Sequence, residues 1–243
     1  SNAHAQSSFE CQKPLPEAGK EKILNDVDER YQSLSQLEAR FVQDSYFVGL
    51  GTERTSSGKV VFKKPGQMDW MYESPESQRF VSNGNTFWFY QPELKQVTIT
   101  DFKQSFQSDL PVSFLLGVGQ LRRDFRVERY CESGEGIVLE LYPIGDDATL
   151  SKFTLLVSKG TLTPIGARVL DVGGNETSIK FQSINFSAEI DPQRFDFKIP
   201  KGVDILDQRN GAESAGAPDI QAKKPVREVK SVTDQAILPP SNK

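Results

Sequence analysis

The sequence predicts a mainly β (α+β) fold, a long antiparallel meander with a few short helices. Three observations carry this. Short apolar segments recur at even spacing with turn residues between them. One helix-period stripe precedes them. Several segments carry large apolar groups on both faces, so the sheet needs cover on each side.

Ser1-Asn2-Ala3 reads as an expression scar, and residues up to 18, with Pro14 and Pro16 and no periodic pattern, read as an extended arm. A helix is predicted from Gly19, because Ile23, Val27, Tyr31 and Leu34 form one apolar stripe opposite a charged face. At Leu37 the period changes to two, and the segment through Phe47 reads as a strand, broken by Gly49-Leu50-Gly51-Thr52. Strands are then predicted at 57–63, 67–73, 77–82, 86–90 and 96–102. Lys64-Pro65-Gly66, Ser74-Pro75 and Asn83-Gly84-Asn85 supply the turns. Parallel pairing would need long crossovers, and these connections leave no room for them.

Residues 109–118 read as a short inserted helix, with Asp109 to cap it and Pro111 in its first turn. Strands resume at 123–130, 136–143, 151–158, 164–172, 176–187 and 194–199. Residues 209–243 are rich in Gly, Ala, Pro, Lys and Ser and are expected to form a flexible tail.

Composition narrows the chemistry. The single histidine, His4, stands beside the scar, so a Ser-His-Asp or Cys-His arrangement and a histidine-based metal site are excluded from the domain. No catalytic residue, metal ligand or cofactor motif stands out. Carboxylate pairs can hydrolyse glycosides without histidine, but nothing in the turns marks such a pair. The net charge of −4, without a basic stripe, argues against a nucleic-acid partner. No stretch reaches the roughly 18 consecutive apolar residues of a membrane helix. Cys11 and Cys131 fit no short metal or redox spacing. They are either one disulfide tying the arm to the core, in an oxidising compartment, or two separate thiols.

Thr86-Phe87-Trp88-Phe89-Tyr90 places four aromatics in succession, two on each face of one strand. Met68, Trp70 and Tyr72 add an aromatic face, as do Phe153, Leu155 and Val157. A sandwich or barrel core and an apolar hollow inside a curled sheet both satisfy this pattern.

Val61-Phe62-Lys63-Lys64-Pro65-Gly66-Gln67-Met68-Asp69-Trp70 resembles the LolA family of periplasmic lipoprotein carriers. Ala39 to Gln43 resembles the family's first strand, Ser82 to Pro92 its most distinctive hairpin, Leu110 to Leu116 its proline-started inner helix, and Phe195 to Asp204 its terminal strand. The resemblance covers about residues 20–207. It divides the chain into an N-terminal arm at 1–18, a carrier domain at 19–208 and a tail at 209–243.

The resemblance implies an incomplete, strongly curved antiparallel β-barrel of about 11 strands, with short helices covering the concave face. It implies a non-enzymatic monomer in the periplasm, its export signal removed ahead of this start. Its partners are lipoproteins, held by their acyl chains, an inner-membrane ABC-type release complex and an outer-membrane acceptor. The alternative is a lipid- or lipoprotein-sensing module of the same fold. An acceptor relative would need a lipidated N-terminal cysteine, and Ser8-Phe9-Glu10 is a poor context for Cys11.

Matched positions and pattern name the cavity residues as Tyr31, Leu34, Met68, Trp70, Phe114 and Leu115, with Phe87 and Phe89 or Trp88 and Tyr90. Lys64 stands where the family typically has the arginine that helps hold its lid closed, and a solvated turn lysine is the plainer reading. Lysine keeps the charge without the planar five-donor fork. Met68 stands where the family has an aromatic, and methionine still fills apolar space.

Overall fold

A computed structural model describes residues 8–106, 119–145 and 149–209. The strands are β1 (Lys13–Pro14), β2 (Gln36–Phe47), β3 (Thr52–Lys63), β4 (Gln67–Ser74), β5 (Gln78–Asn83), β6 (Thr86–Gln91), β7 (Gln96–Asp101), β8 (Phe125–Glu132), β9 (Ile137–Pro143), β10 (Leu150–Val157), β11 (Pro164–Asp171), β12 (Glu176–Asn185) and β13 (Asp204–Asp207). The described helices that position the site are α1 (Lys20–Gln32), α2 (Phe102–Phe106) and α3 (Leu121–Asp124).

All thirteen strands form one curved, open sheet in the order β1-β8-β9-β10-β11-β12-β2-β3-β4-β5-β6-β7-β13. Neighbours pair antiparallel except β13, which runs parallel to β7. The incomplete barrel thus agrees with expectation, with thirteen strands rather than about eleven.

Strand β2 shows how the pattern sets the faces. Leu37, Ala39, Phe41, Gln43 and Ser45 are buried and alternate with Glu38, Arg40, Val42 and Asp44, which are less so. Leu37, Ala39 and Phe41 share one core with Leu24, Val27 and Tyr31 of α1. The buried face of α1 therefore centres on Leu24 rather than Ile23, which is only partly buried. Its fourth buried residue is Asp28, whose carboxylate accepts the Leu121 N–H at 3.1 Å and ties α1 to α3.

Gly66 and Gly58 need the absence of a side chain for different reasons. Gly66 has φ +72° in the β3–β4 turn, and a Cβ there would also press on the Phe102 ring at 3.0 Å. At the β3 irregularity, a Cβ on Gly58 would stand 1.9 Å from the Met71 carbonyl oxygen.

The predicted strand at 194–199 does not form. Pro192–Phe195 is a 3-10 turn, capped by Asp191, which accepts from the Gln193 N–H. Pro192 and Pro200 lack the donors a ladder needs, and the last strand among the described residues starts only at Asp204. The predicted helix at 109–118 lies outside the described residues. So does the tail beyond Arg209.

Segments near both ends of the described residues lie on the outer face. In the N-terminal arm, Phe9 packs with Val138 and Leu156, and the Arg168 guanidinium lies 4.8 Å from its ring. Cys11 is bonded to Cys131, and Lys13–Pro14 pairs with β8. At the other end, the 3-10 turn lies against β4 and β5, with Phe195 fully buried.

Candidate functional site

The inner face of β2–β7 is a stack of cross-strand rows. The first row is Leu37, Phe62, Met68, Ser82, Phe87 and Thr100. The second is Ala39, Val60, Trp70, Phe80 and Phe89. The third joins Phe41, Gly58, Tyr72 and Gln78. Successive residues of one strand point to opposite faces, so alternate residues of adjacent strands meet in these rows.

The rings interlock. Phe80 stacks on Phe89 with centroids 4.4 Å apart, and Phe41 meets Trp70 and Tyr72 edge-on, each at 5.1 Å. Phe62 meets Trp70 at 5.9 Å, and Trp70 stacks with Tyr72 at 6.2 Å. Phe87 and Phe89 therefore belong to the interior. Trp88 and Tyr90 lie on the outer face, Trp88 in a row with Val81 and Ile99, and Tyr90 against Phe197 at 5.5 Å.

Beyond the third row the interior turns polar. Buried Gln43, Ser45, Ser56 and Thr177 replace the rings. The Tyr72 hydroxyl donates to Gln43 Oε1 at 2.7 Å, Gln43 Nε2 donates to Ser45 Oγ at 3.4 Å, and Ser45 and Thr177 hydroxyls share a bond of 3.2 Å. Burial in this setting pushes the Tyr72 hydroxyl pKa well up, against the opposing bond to Gln43.

The outer face is built on Asp69, buried between Val61 and Val81. Arg79 donates to both its oxygens at 2.8 and 3.1 Å, and Arg194 Nε donates to Oδ2 at 2.7 Å. The Arg79 guanidinium also lies 5.7 Å from the Phe197 ring. This clasp fastens the chain around 194–197 over β4 to β6.

Lys64 closes one end of the interior. Its Nζ donates to the Tyr31 carbonyl in the last turn of α1 and lies 3.6 Å from the Tyr31 ring centroid. Its backbone N–H donates to the Ser35 carbonyl at 2.9 Å. The β3–β4 turn is thus pinned to the C-terminus of α1, where a cation is favoured. Burial lowers the Lys64 pKa to about 8, with the Asp28 charge acting in the opposite direction. Burial raises that of the Tyr31 hydroxyl.

A small cavity of about 10 Å³ opens beside this contact, lined by Tyr31, Leu34, Gln36, Leu37, Phe62, Lys64 and Phe186. That is about the space of one water. The rings of the described rows are themselves buried.

The structure brings Tyr31, Leu34 and Lys64 together at the cavity, and Met68, Trp70, Phe87 and Phe89 on the face behind it. Phe114 and Leu115 lie outside the described residues. Sequence reasoning missed Phe41, Phe62, Phe80 and Tyr72 as site residues, although their period-two spacing offered a signal. It also missed Gln43, Ser45 and Thr177, which carry no signal until three strands are paired.

Residues 32–198 match the family model described as outer membrane lipoprotein carrier protein LolA. The chain belongs to the LolA family. An outer-membrane lipoprotein carrier protein from Azotobacter vinelandii is 29% identical over 195 residues, covering 79% of this chain and 92% of that protein. One from Nitrosomonas europaea is 31% identical over 170 residues, covering 70% and 81%. Among solved structures, an uncharacterized conserved protein from Thermus thermophilus superposes with a TM-score of 0.51 at 14% identity, covering 77% of this chain and 98% of that one. That likeness is one of fold. The LolA match includes Lys64 and the aromatic rows. Cys11 and β13 lie beyond its ends.

Proposed function

We propose that this chain is a periplasmic carrier that shelters lipoprotein acyl chains on the aromatic inner face beneath α1. In this reading it moves lipoproteins from an inner-membrane release complex to an outer-membrane acceptor. The observation that carries it is the pairing of a large apolar interior with a helix fastened over it at Lys64. Each methylene taken from water contributes about 0.8 kcal/mol, so several acyl chains need a surface of this kind. Here that surface is buried against α1 and neighbouring side chains. An entering lipid separates α1 from the rows and takes their place, which makes the interior a two-state element biased by its cargo. Competition between self-packing and lipid keeps affinity low enough for release.

The test is to incubate the protein with inner-membrane vesicles holding mature lipoprotein and the ATP-driven release complex. A soluble lipoprotein–carrier complex is expected in the supernatant. Its absence, where a known LolA carrier forms one under the same conditions, overturns the proposal.

A further inference from the structure

Trp70 occupies the middle of the inner face and is 2% exposed. Its Nε1–H has no hydrogen-bond partner among the described residues. Buried donors are ordinarily paired, so an unpaired one in the centre of a candidate site calls for an explanation. The neighbouring polar groups of this face are already engaged. Tyr72 donates to Gln43, Gln43 to Ser45, Ser82 to the Gly66 carbonyl, and Thr100 shares a bond with Ser105.

The indole nitrogen is the only polar side-chain atom of its residue, and it is also badly placed to find a protein partner. Phe41, Phe62 and Tyr72 surround the ring. Trp70 sits in the last row before Tyr72 and the polar network, between rings toward Lys64 and buried Gln43, Ser45 and Thr177 on the other side. An acylated ligand has the same gradient: hydrocarbon, then a carbonyl at the linkage, then polar groups.

We infer that the Trp70 indole N–H is a specificity-determining donor, which engages the ester carbonyl joining an acyl chain to the glyceryl group of the cargo. The inference rests on the carrier reading and refines it. Hydrocarbon burial supplies affinity without regard to linkage, whereas this donor discriminates an acyl ester from an alkyl chain of equal length. The donor has no partner among the described residues, which favours exchange of self-packing for cargo.

Two probes separate these statements: a cysteine lipopeptide bearing two ester-linked palmitoyl chains, and its counterpart bearing two ether-linked hexadecyl chains. Calorimetric titration of the wild-type protein is expected to favour the ester probe by about five-fold, the scale of one net hydrogen bond. Trp70→Phe is expected to bind the two probes alike. Equal binding of both probes by the wild type overturns the inference and leaves the carrier reading standing. Binding of neither overturns both.

A second measurement avoids dependence on the Trp70 variant. The chain has two tryptophans, and Trp88 lies on the outer face. In ¹⁵N-labelled Trp88→Phe protein, the one remaining indole resonance is that of Trp70. It should move further downfield with the ester probe than with the ether probe. The same shift with both overturns the inference.

Discussion

On its inner face, the β3–β7 half of the sheet meets stacked rings and a helix. On its outer face, the same strands meet a strap held by one carboxylate and two guanidiniums. Strand β6 shows both within five residues: Phe87 and Phe89 are sealed inside, whereas Tyr90 leans on Phe197 outside. The inner cover is non-directional, so rings can be replaced by other apolar matter at little cost in geometry. The outer cover is directional, because Asp69 satisfies its charge only where Arg79 and Arg194 converge. A carrier needs one face that yields and another that holds its shape.

The largest effect should come from within. Phe80→Ala removes a fully buried ring stacked at 4.4 Å on Phe89 and should cost about 4 kcal/mol in urea denaturation. A loss below about 1 kcal/mol would mean that the interior collapses freely around the gap.

Next comes the N-terminal arm, which covers the far half of the outer face. Reducing the Cys11–Cys131 bond, which spans 120 residues of sequence, should lower stability by about 3 kcal/mol. It should also expose the arm to protease ahead of the core, and an unchanged intact mass after reduction would count against the bond.

The clasp itself should matter less, because Arg79 and Arg194 are about one-third exposed. Asp69→Asn should cost about 2 kcal/mol. Hydrogen exchange should rise first at residues 191–197. Uniform exchange across the sheet would show that the strap does not depend on Asp69.

The smallest expected effect is the pH dependence set by Lys64. Burial holds its folded pKa near 8, below the ordinary value of 10.5. Between those values the unfolded chain binds more protons than the folded one, so this group makes stability rise with pH from about 8 to 10.5. Relative to Lys64→Met, the wild type should gain about 1 kcal/mol between pH 8 and 9.5. Above about pH 10 both should weaken, because the raised pKa values of Tyr31 and Tyr72 keep protons on the folded state that the unfolded state sheds. Parallel curves for the two proteins would remove Lys64 as the cause.

The meander was legible because its turns are chemically marked. Lys64-Pro65-Gly66 and Asn83-Gly84-Asn85 sit where β3 meets β4 and β5 meets β6. The two-faced strand was legible too, but not which pair faced inward. Period two fixes that Phe87 and Phe89 share a side, and only pairing with Ser82 and Phe80 fixes which side that is. Phe195, Phe197 and Ile199 alternate as a strand would, yet Phe195 plugs the outer face from a 3-10 turn. Local period does not report the layer a residue joins.

By itself, the sequence determined the β meander, the leading helix and the LolA resemblance, because turn chemistry, periodicity and ordered motifs are properties of neighbouring residues. Tertiary structure decided that Lys64 reaches Tyr31, that Arg194 meets Asp69, and that Trp70 keeps an unshared donor among rings. These depend on residues far apart along the chain, brought together by a sheet whose register the whole fold sets.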